Sequence, residues 1–149
     1  MPGVEHNRNI LPAARPDITT AVTRGVTRLF VDMGLTPLCE FRLVNGRRAD
    51  VAALDAKGDL IIAEVKSGRE DYETDAKWAE YLKFCDAFYF AVSESFPQHI
   101  LPADEGLIVA DAYGGAVIRQ PQSRPLASAR RKAVTLRFAR QAAMRVAAL

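Results

Sequence analysis

Only two cysteines and two histidines occur among the 149 residues, too few to build a disulfide framework or a Cys/His metal cluster. Cys39 and Cys85 each lie inside an apolar segment with no CxxC or Cys/His partner, so they read as buried free thiols. His6 and His99 have no partner spacing and carry no assigned role. No stretch reaches the roughly 20 consecutive apolar residues of a membrane span, and residues 1–17 lack the apolar run of a signal peptide. These absences predict a cytoplasmic protein that makes no membrane contact. With 49% hydrophobic residues, the chain is long enough to bury one core, so residues 18–149 are expected to form a single domain behind a polar, proline-containing arm over 1–17.

Acidic residues are missing from one part of the chain. From Arg119 to Leu149 there are eight Lys or Arg and no Asp or Glu, whereas residues 1–118 carry twelve basic and eighteen acidic residues. The small net charge of +2 therefore hides a segment of +8 attached to a remainder of −6. A basic element on an otherwise acidic domain can track phosphates without drawing polyanions over the whole surface.

What is present centres on residues 47–66, where Asp50, Glu64 and Lys66 interrupt two otherwise apolar strands. The runs 51–54 and 60–65 are short and rich in β-branched or small residues, and a turn signal separates them, so they read as an antiparallel pair. With Ala56-Lys57-Gly58 as a three-residue loop, Asp55 pairs with Asp59 and the count back along both strands sets Asp50 opposite Glu64. Opposed residues share a face of the sheet with Cα atoms about 4.5–5.5 Å apart, so the carboxylates converge and repel unless a cation lies between them. Lys66 emerges on the same face by the two-residue period. Paired carboxylates suit a hard, oxygen-loving ion such as Mg²⁺ or Mn²⁺, and the ammonium can hold a water or an anionic oxygen beside it. That is the equipment of a metal-dependent phosphodiesterase. The structural alternative is Asp50 and Lys66 as solvated strand ends, with Glu64 ion-paired to Lys66 or Arg48.

The other elements follow from periodicity. Asp17 is expected to cap a helix over about 18–33, whose apolar stripe is Ile18, Val22, Val26, Leu29, Phe30 and Met33. Residues 38–44 predict a strand, and Asn45-Gly46 as a two-residue turn would pair Val44 with Arg47 and set Glu40 opposite Val51, away from Asp50. A helix over about 70–84 should follow, rich in acids at its positive end and carrying Lys77. Next comes a strand over 86–92, parallel to the Glu64 strand because a helix joins them, and then two edge strands over 106–111 and 115–119. The final helix, about 126–147, is read with Ala129, Ala133, Leu136, Ala139, Ala143 and Val146 on its packed face and Arg130, Arg137, Arg140 and Arg145 outward. Phe138 and Met144 on the arginine side suggest a protein interface as a competing use.

An Asp at the start of one strand, Glu-x-Lys on the next and a helix after it resemble the PD-(D/E)XK nuclease superfamily. More narrowly, Gly46-Arg47-Arg48-Ala49-Asp50-Val51, Ala63-Glu64-Val65-Lys66-Ser67, Asp75-Ala76-Lys77-Trp78-Ala79-Glu80-Tyr81 and the stretches 85–92, 106–114 and 131–140 resemble the MmcB family of small bacterial DNA repair proteins. The resemblance implies a restriction endonuclease-like αβββαβ core, an α/β fold with a mixed sheet flanked by helices, to which two extra strands and the basic helix are added. It also implies Mg²⁺ or Mn²⁺ held by Asp50, Glu64 and the backbone oxygen of Val65, with Lys66 positioning the attacking water. DNA contacts are expected from Arg48, Lys77, Arg130, Arg137, Arg140 and Arg145. The implied setting is repair of damaged, branched or crosslinked DNA near the nucleoid, with a repair-protein partner as a further expectation. Two departures stand out: Ala49 replaces the motif's proline, and the first helix lacks the Glu that resolvase-like members place there. The second favours the alternative of a DNA-binding adaptor on a nuclease scaffold that recruits other repair factors.

Overall fold

The computed structural model describes residues 15–149; the expected polar arm falls, over 1–14, outside the described residues. The elements run α1 (Arg15–Asp32), β1 (Thr36–Arg42), β2 (Arg48–Leu54), β3 (Leu60–Val65), α2 (Arg69–Thr74), a 3₁₀ helix (Trp78–Phe84), β4 (Ala87–Val92), a 3₁₀ turn (Gln98–Ile100), β5 (Gly106–Asp111), β6 (Gly114–Arg119) and α3 (Ser128–Ala147). The six strands form one mixed sheet in the order β1-β2-β3-β4-β5-β6. The β1–β2, β2–β3 and β5–β6 pairs are antiparallel and β3–β4 and β4–β5 parallel, as short turns and helical crossovers respectively require. No helix among the described residues is long and apolar enough to cross a membrane.

The sheet divides the core in two. Ile61, Ala63, Val65, Tyr89 and Ala91 face α1, which buries Val22, Val26 and Phe30 against them. Leu60, Ile62, Phe88 and Phe90 face the other way, toward Trp78, Tyr81 and Phe84 of the 3₁₀ helix and Val134 and Phe138 of α3. Each fully buried Val, Leu, Ile or Phe side chain among them contributes about 1.5–3 kcal/mol of transfer free energy. Gly25 lets α1 lie close to the β5–β6 hairpin: a Cβ there would sit 2.0 Å from the Asp111 carbonyl oxygen and 2.5 Å from that of Gly114.

Four expectations are corrected. First, α1 begins at Arg15, so Asp17 lies in its first turn, where a carboxylate suits the helix dipole, rather than at the cap. Second, the β1–β2 turn holds three residues: Leu43 N–H donates to Arg47 O at 2.8 Å, and Gly46 takes φ 86°. The register shifts by one, Cys39 lies opposite Val51, and Glu40 falls level with Asp50 at φ 53°, a conformation costly for a residue with a side chain. Third, the expected helix over 70–84 is broken between Thr74 and Trp78, because Tyr72 and Trp78 both reach Phe90 and one continuous helix does not deliver both. Fourth, α3 packs through Val134 and Phe138, while Leu136 and Val146 are exposed. The alanines of the expected face offered too little area to compete with Phe138, whose ring lies tilted against that of Phe41 with centroids 5.5 Å apart.

The inward side of α3 also closes one edge of the sheet. Gln141 pairs its amide with the backbone of Arg42, accepting from N–H at 2.9 Å and donating to O at 2.7 Å, and Arg145 donates to Glu40 O at 2.8 Å. These side chains occupy the outward backbone groups that an edge strand otherwise leaves open.

Candidate functional site

The β2–β3 register is the predicted one. Leu54 pairs with Leu60 and Val51 with Ala63, and Gly58 takes φ 90° in the connecting loop. Past the last paired residues the two strands are joined through side chains: Asp50 N–H donates to Glu64 Oε1 at 3.0 Å, and Val65 N–H donates to Asp50 Oδ2 at 2.8 Å. Each carboxyl is therefore fixed by a backbone donor of the other strand, and the two lie within hydrogen-bonding reach of each other. In an extended strand the C=O of a residue points to the same side as its N–H, so Val65 directs its oxygen toward β2 and the carboxyl pair as well.

Glu64 lies on the face of Leu60 and Ile62 and is 6% exposed, while Asp50 is half-buried. Burial pushes the Glu64 carboxyl well above the usual glutamate range, and the neighbouring Asp50 charge adds to it. Burial also raises Asp50, against the opposing pull of the Val65 N–H, Glu64 and Lys66. Two acids this close do not both ionise without a compensating charge. Tyr81, whose hydroxyl donates to Arg48 O at 3.0 Å, has its hydroxyl pushed up by burial and then by the charges of Glu64 and Asp50.

Lys66 is 4% exposed and its positive charge favours the ionised form of both carboxyls. Its Nζ donates to Asp75 Oδ2 at 2.5 Å. Asp75 sits where the predicted helix breaks, and its other oxygen accepts the Lys77 N–H at 2.9 Å. The break thus turns an acid expected only to favour a helix terminus into the partner of Lys66. A buried lysine needs such a partner, and the acid-rich run before Trp78 was the sequence signal for it. Beside it, Asp71 Oδ2 accepts the N–H and hydroxyl of Ser67 at 2.8 and 3.1 Å, fixing the turn that follows Lys66.

The basic residues divide. Arg48 and Lys77 are exposed, Arg48 two residues before Asp50 and Lys77 two after Asp75. Arg130 packs its guanidinium over the Phe84 ring at 4.9 Å and donates to Lys83 O, and Arg145 is bound to the Glu40 carbonyl. Arg137 and Arg140 line a groove between α3 and β1 with Glu40 and Arg42. Sequence reasoning missed Arg47, which ion-pairs with Glu80, and Arg131, which binds Asp86 through its two terminal guanidinium nitrogens at 2.9 and 2.5 Å. Among the described residues no group of three or more His, Cys, Asp or Glu gathers as a metal site, and Glu40 does not join the pair.

The pair is nonetheless a chemically suitable donor set for a hard divalent cation: two carboxylates and one backbone oxygen, with charge repulsion that a cation would relieve. No curated protein matches the chain. Among solved structures, the SPO1766 protein of unknown function from Silicibacter pomeroyi is 39% identical, with a TM-score of 0.84 over 91% of each chain. A family model described as DNA repair protein MmcB-like matches residues 7–149, and the chain belongs to that MmcB-like family.

Proposed function

We propose that this protein acts in DNA repair by hydrolysing phosphodiester bonds in damaged or structured DNA, on a restriction endonuclease-like core of the PD-(D/E)XK kind. The observation that carries this reading is the cross-strand fixation of Asp50 and Glu64 beside the buried Lys66. The element order α1-β1-β2-β3-α2-β4 is in keeping with that core, and the family description supports the repair setting.

In this reading Asp50, Glu64 and the Val65 carbonyl hold Mg²⁺ or Mn²⁺. A cation bound there would polarise a scissile phosphate and lower the pKa of a bound water. Lys66 holds an ammonium beside the phosphate, offsets the charge that grows in the transition state and orients the attacking water. Arg48 and Lys77 flank the approach and contact the DNA backbone, which fixes the strand without reading sequence.

The test is Mn²⁺ titration calorimetry followed by a panel of single-stranded, duplex, flap, junction and crosslinked DNA, with and without metal. Cutting that disappears in both Asp50→Ala and Glu64→Ala supports the enzyme; cutting retained in both rejects the site. The second reading is a non-cutting adaptor, favoured by the absence of Glu from α1 and by the lack, among the described residues, of a cluster of three acids that could hold a metal. It predicts salt-sensitive DNA binding with no cleavage on any substrate.

A further inference from the structure

The groove between α3 and β1 is separate from the carboxyl pair and has its own chemistry. At ≈ 670 Å³ it is larger than a single side chain fills. Arg42, Arg137 and Arg140 line it, and none of their guanidinium groups has a hydrogen-bond or ion-pair partner among the described residues. Glu40 is the one acid among the lining residues. Between the arginines lie Leu136 and Met144, 59% and 69% exposed, which leaves apolar area in water beside unpaired cations.

That mixture points to a particular partner. Nucleic-acid backbones need cations but not an apolar floor, and single strands are held by aromatic stacking, whereas no aromatic residue lines this groove. Exposed Leu and Met framed by arginines match the apolar stripe and acidic flanks of an amphipathic helix, with Met adapting to its shape. Residues 1–14 of this chain carry Glu5 against Arg8 and offer no surplus of negative charge. We infer that the α3–β1 groove is a docking site for an acidic amphipathic helix of a partner protein. Leu136 and Met144 receive its apolar stripe, and Arg42, Arg137 and Arg140 pair with its flanking acids. The site is independent of the proposed hydrolysis, so it stands or falls without any cleavage assay.

The experiment uses the full chain and a fluorescein-labelled synthetic helical peptide with Leu at helical spacing and Glu on its flanks, read by fluorescence anisotropy. A scrambled peptide of the same composition is the control. The expected result is one-to-one binding of the patterned peptide, weakened about tenfold by Leu136→Ser and by the paired Arg137→Ser/Arg140→Ser change. Both changes lie on exposed or half-buried positions and should leave the thermal unfolding curve in place. Absence of binding, equal binding of the scrambled peptide, or indifference to Leu136→Ser overturns the proposal. So does a labelled oligonucleotide whose binding depends on Leu136 as strongly as the peptide's, or a dimer of this chain that Leu136→Ser dissociates.

Discussion

Lys66 turns its ammonium onto Asp75, 2.5 Å away, at the point where the chain leaves α2 and before it enters the 3₁₀ helix. The lysine side chain is 5% exposed and the aspartate 25%, so the ion pair is buried at its lysine end and partly solvated at its aspartate end. Burial alone would raise Asp75, but Lys66, the Lys77 N–H and the Arg47 charge together hold it below the usual carboxylate range.

Removing Asp75 would leave a buried charge unpaired. Asp75→Ala is expected to destabilise the fold by roughly 2–3 kcal/mol, at or below the usual range for broken buried pairs because the acid is partly solvated. The double change Lys66→Met/Asp75→Leu should recover most of that loss in urea denaturation, since it removes the charge as well as its partner. A double variant no more stable than Asp75→Ala would contradict the pairing argument.

The carboxyl pair sets a pH dependence with a definite sign. The folded state keeps a proton on Glu64 above its ordinary value of 4.5, where the unfolded chain has released it. Without metal, the group's effect on stability is therefore lost progressively as pH rises from about 4.5 upward through neutrality. Glu64→Gln should flatten this slope and stabilise the metal-free protein at pH 8. Mn²⁺ should reverse the slope, raising Tm more at pH 8 than at pH 6 with proton release on binding, and Glu64→Gln should abolish the effect.

Lys66→Ala is expected to lower the cleavage rate by about 10²–10³-fold, the usual cost of a lost transition-state charge partner. Mn²⁺ binding should survive the change, because Lys66 holds none of the proposed ligand oxygens. Single-turnover cleavage and calorimetry on the same preparation check both halves. Loss of metal binding with cleavage would make Lys66 a structural support of the pair.

Asp86 is a second buried acid with a structural duty. Its carboxylate accepts the N–H groups of Leu60 and Leu126 at 2.8 and 2.9 Å as well as both nitrogens of Arg131, tying β3, β4 and the approach to α3. Burial acts to raise it, but Arg131 and those N–H groups outweigh burial and leave it below the ordinary 3.8. A depressed folded value means that its stabilisation is full above 3.8 and lost as pH falls below that. Asp86→Asn should cost about 3 kcal/mol at pH 7 and remove the part of the acid-unfolding slope that Asp86 supplies.

Gly25→Ala should be severe for a different reason. Both nearest atoms to the added methyl are backbone oxygens of the β5–β6 hairpin, which have no rotamer by which to move aside. A fall in Tm of about 10 °C or more is expected, on the basis of roughly 3 kcal/mol of overpacking in a domain of this size. An unchanged melting temperature would mean that α1 shifts freely over the sheet.

How far the sequence carried depends on what each residue reports. The β2–β3 hairpin was legible because Asp55, Gly58 and Asp59 specify its loop locally, and register then fixes Asp50 against Glu64 by counting. The same method failed by one residue at Asn45-Gly46, a pair that also serves a three-residue loop with Gly46 in the left-handed region. Lys66–Asp75 was not legible, since the break that creates it comes from Tyr72 and Trp78 both packing on Phe90 across the sheet. The face of α3 was misread because a stripe of alanines has the right period but little area, while Arg131 and Gln141 on the true inner face look like surface residues.

The Gln141–Arg42 amide pairing joins residues 99 positions apart. On a translating ribosome adding about 5–20 residues per second, β1 waits some 5–20 s for the side chain that will seal its outer edge. Through that interval the nascent sheet presents an open strand, which makes newly made chains, rather than mature ones, the population exposed to mispairing and to chaperone capture.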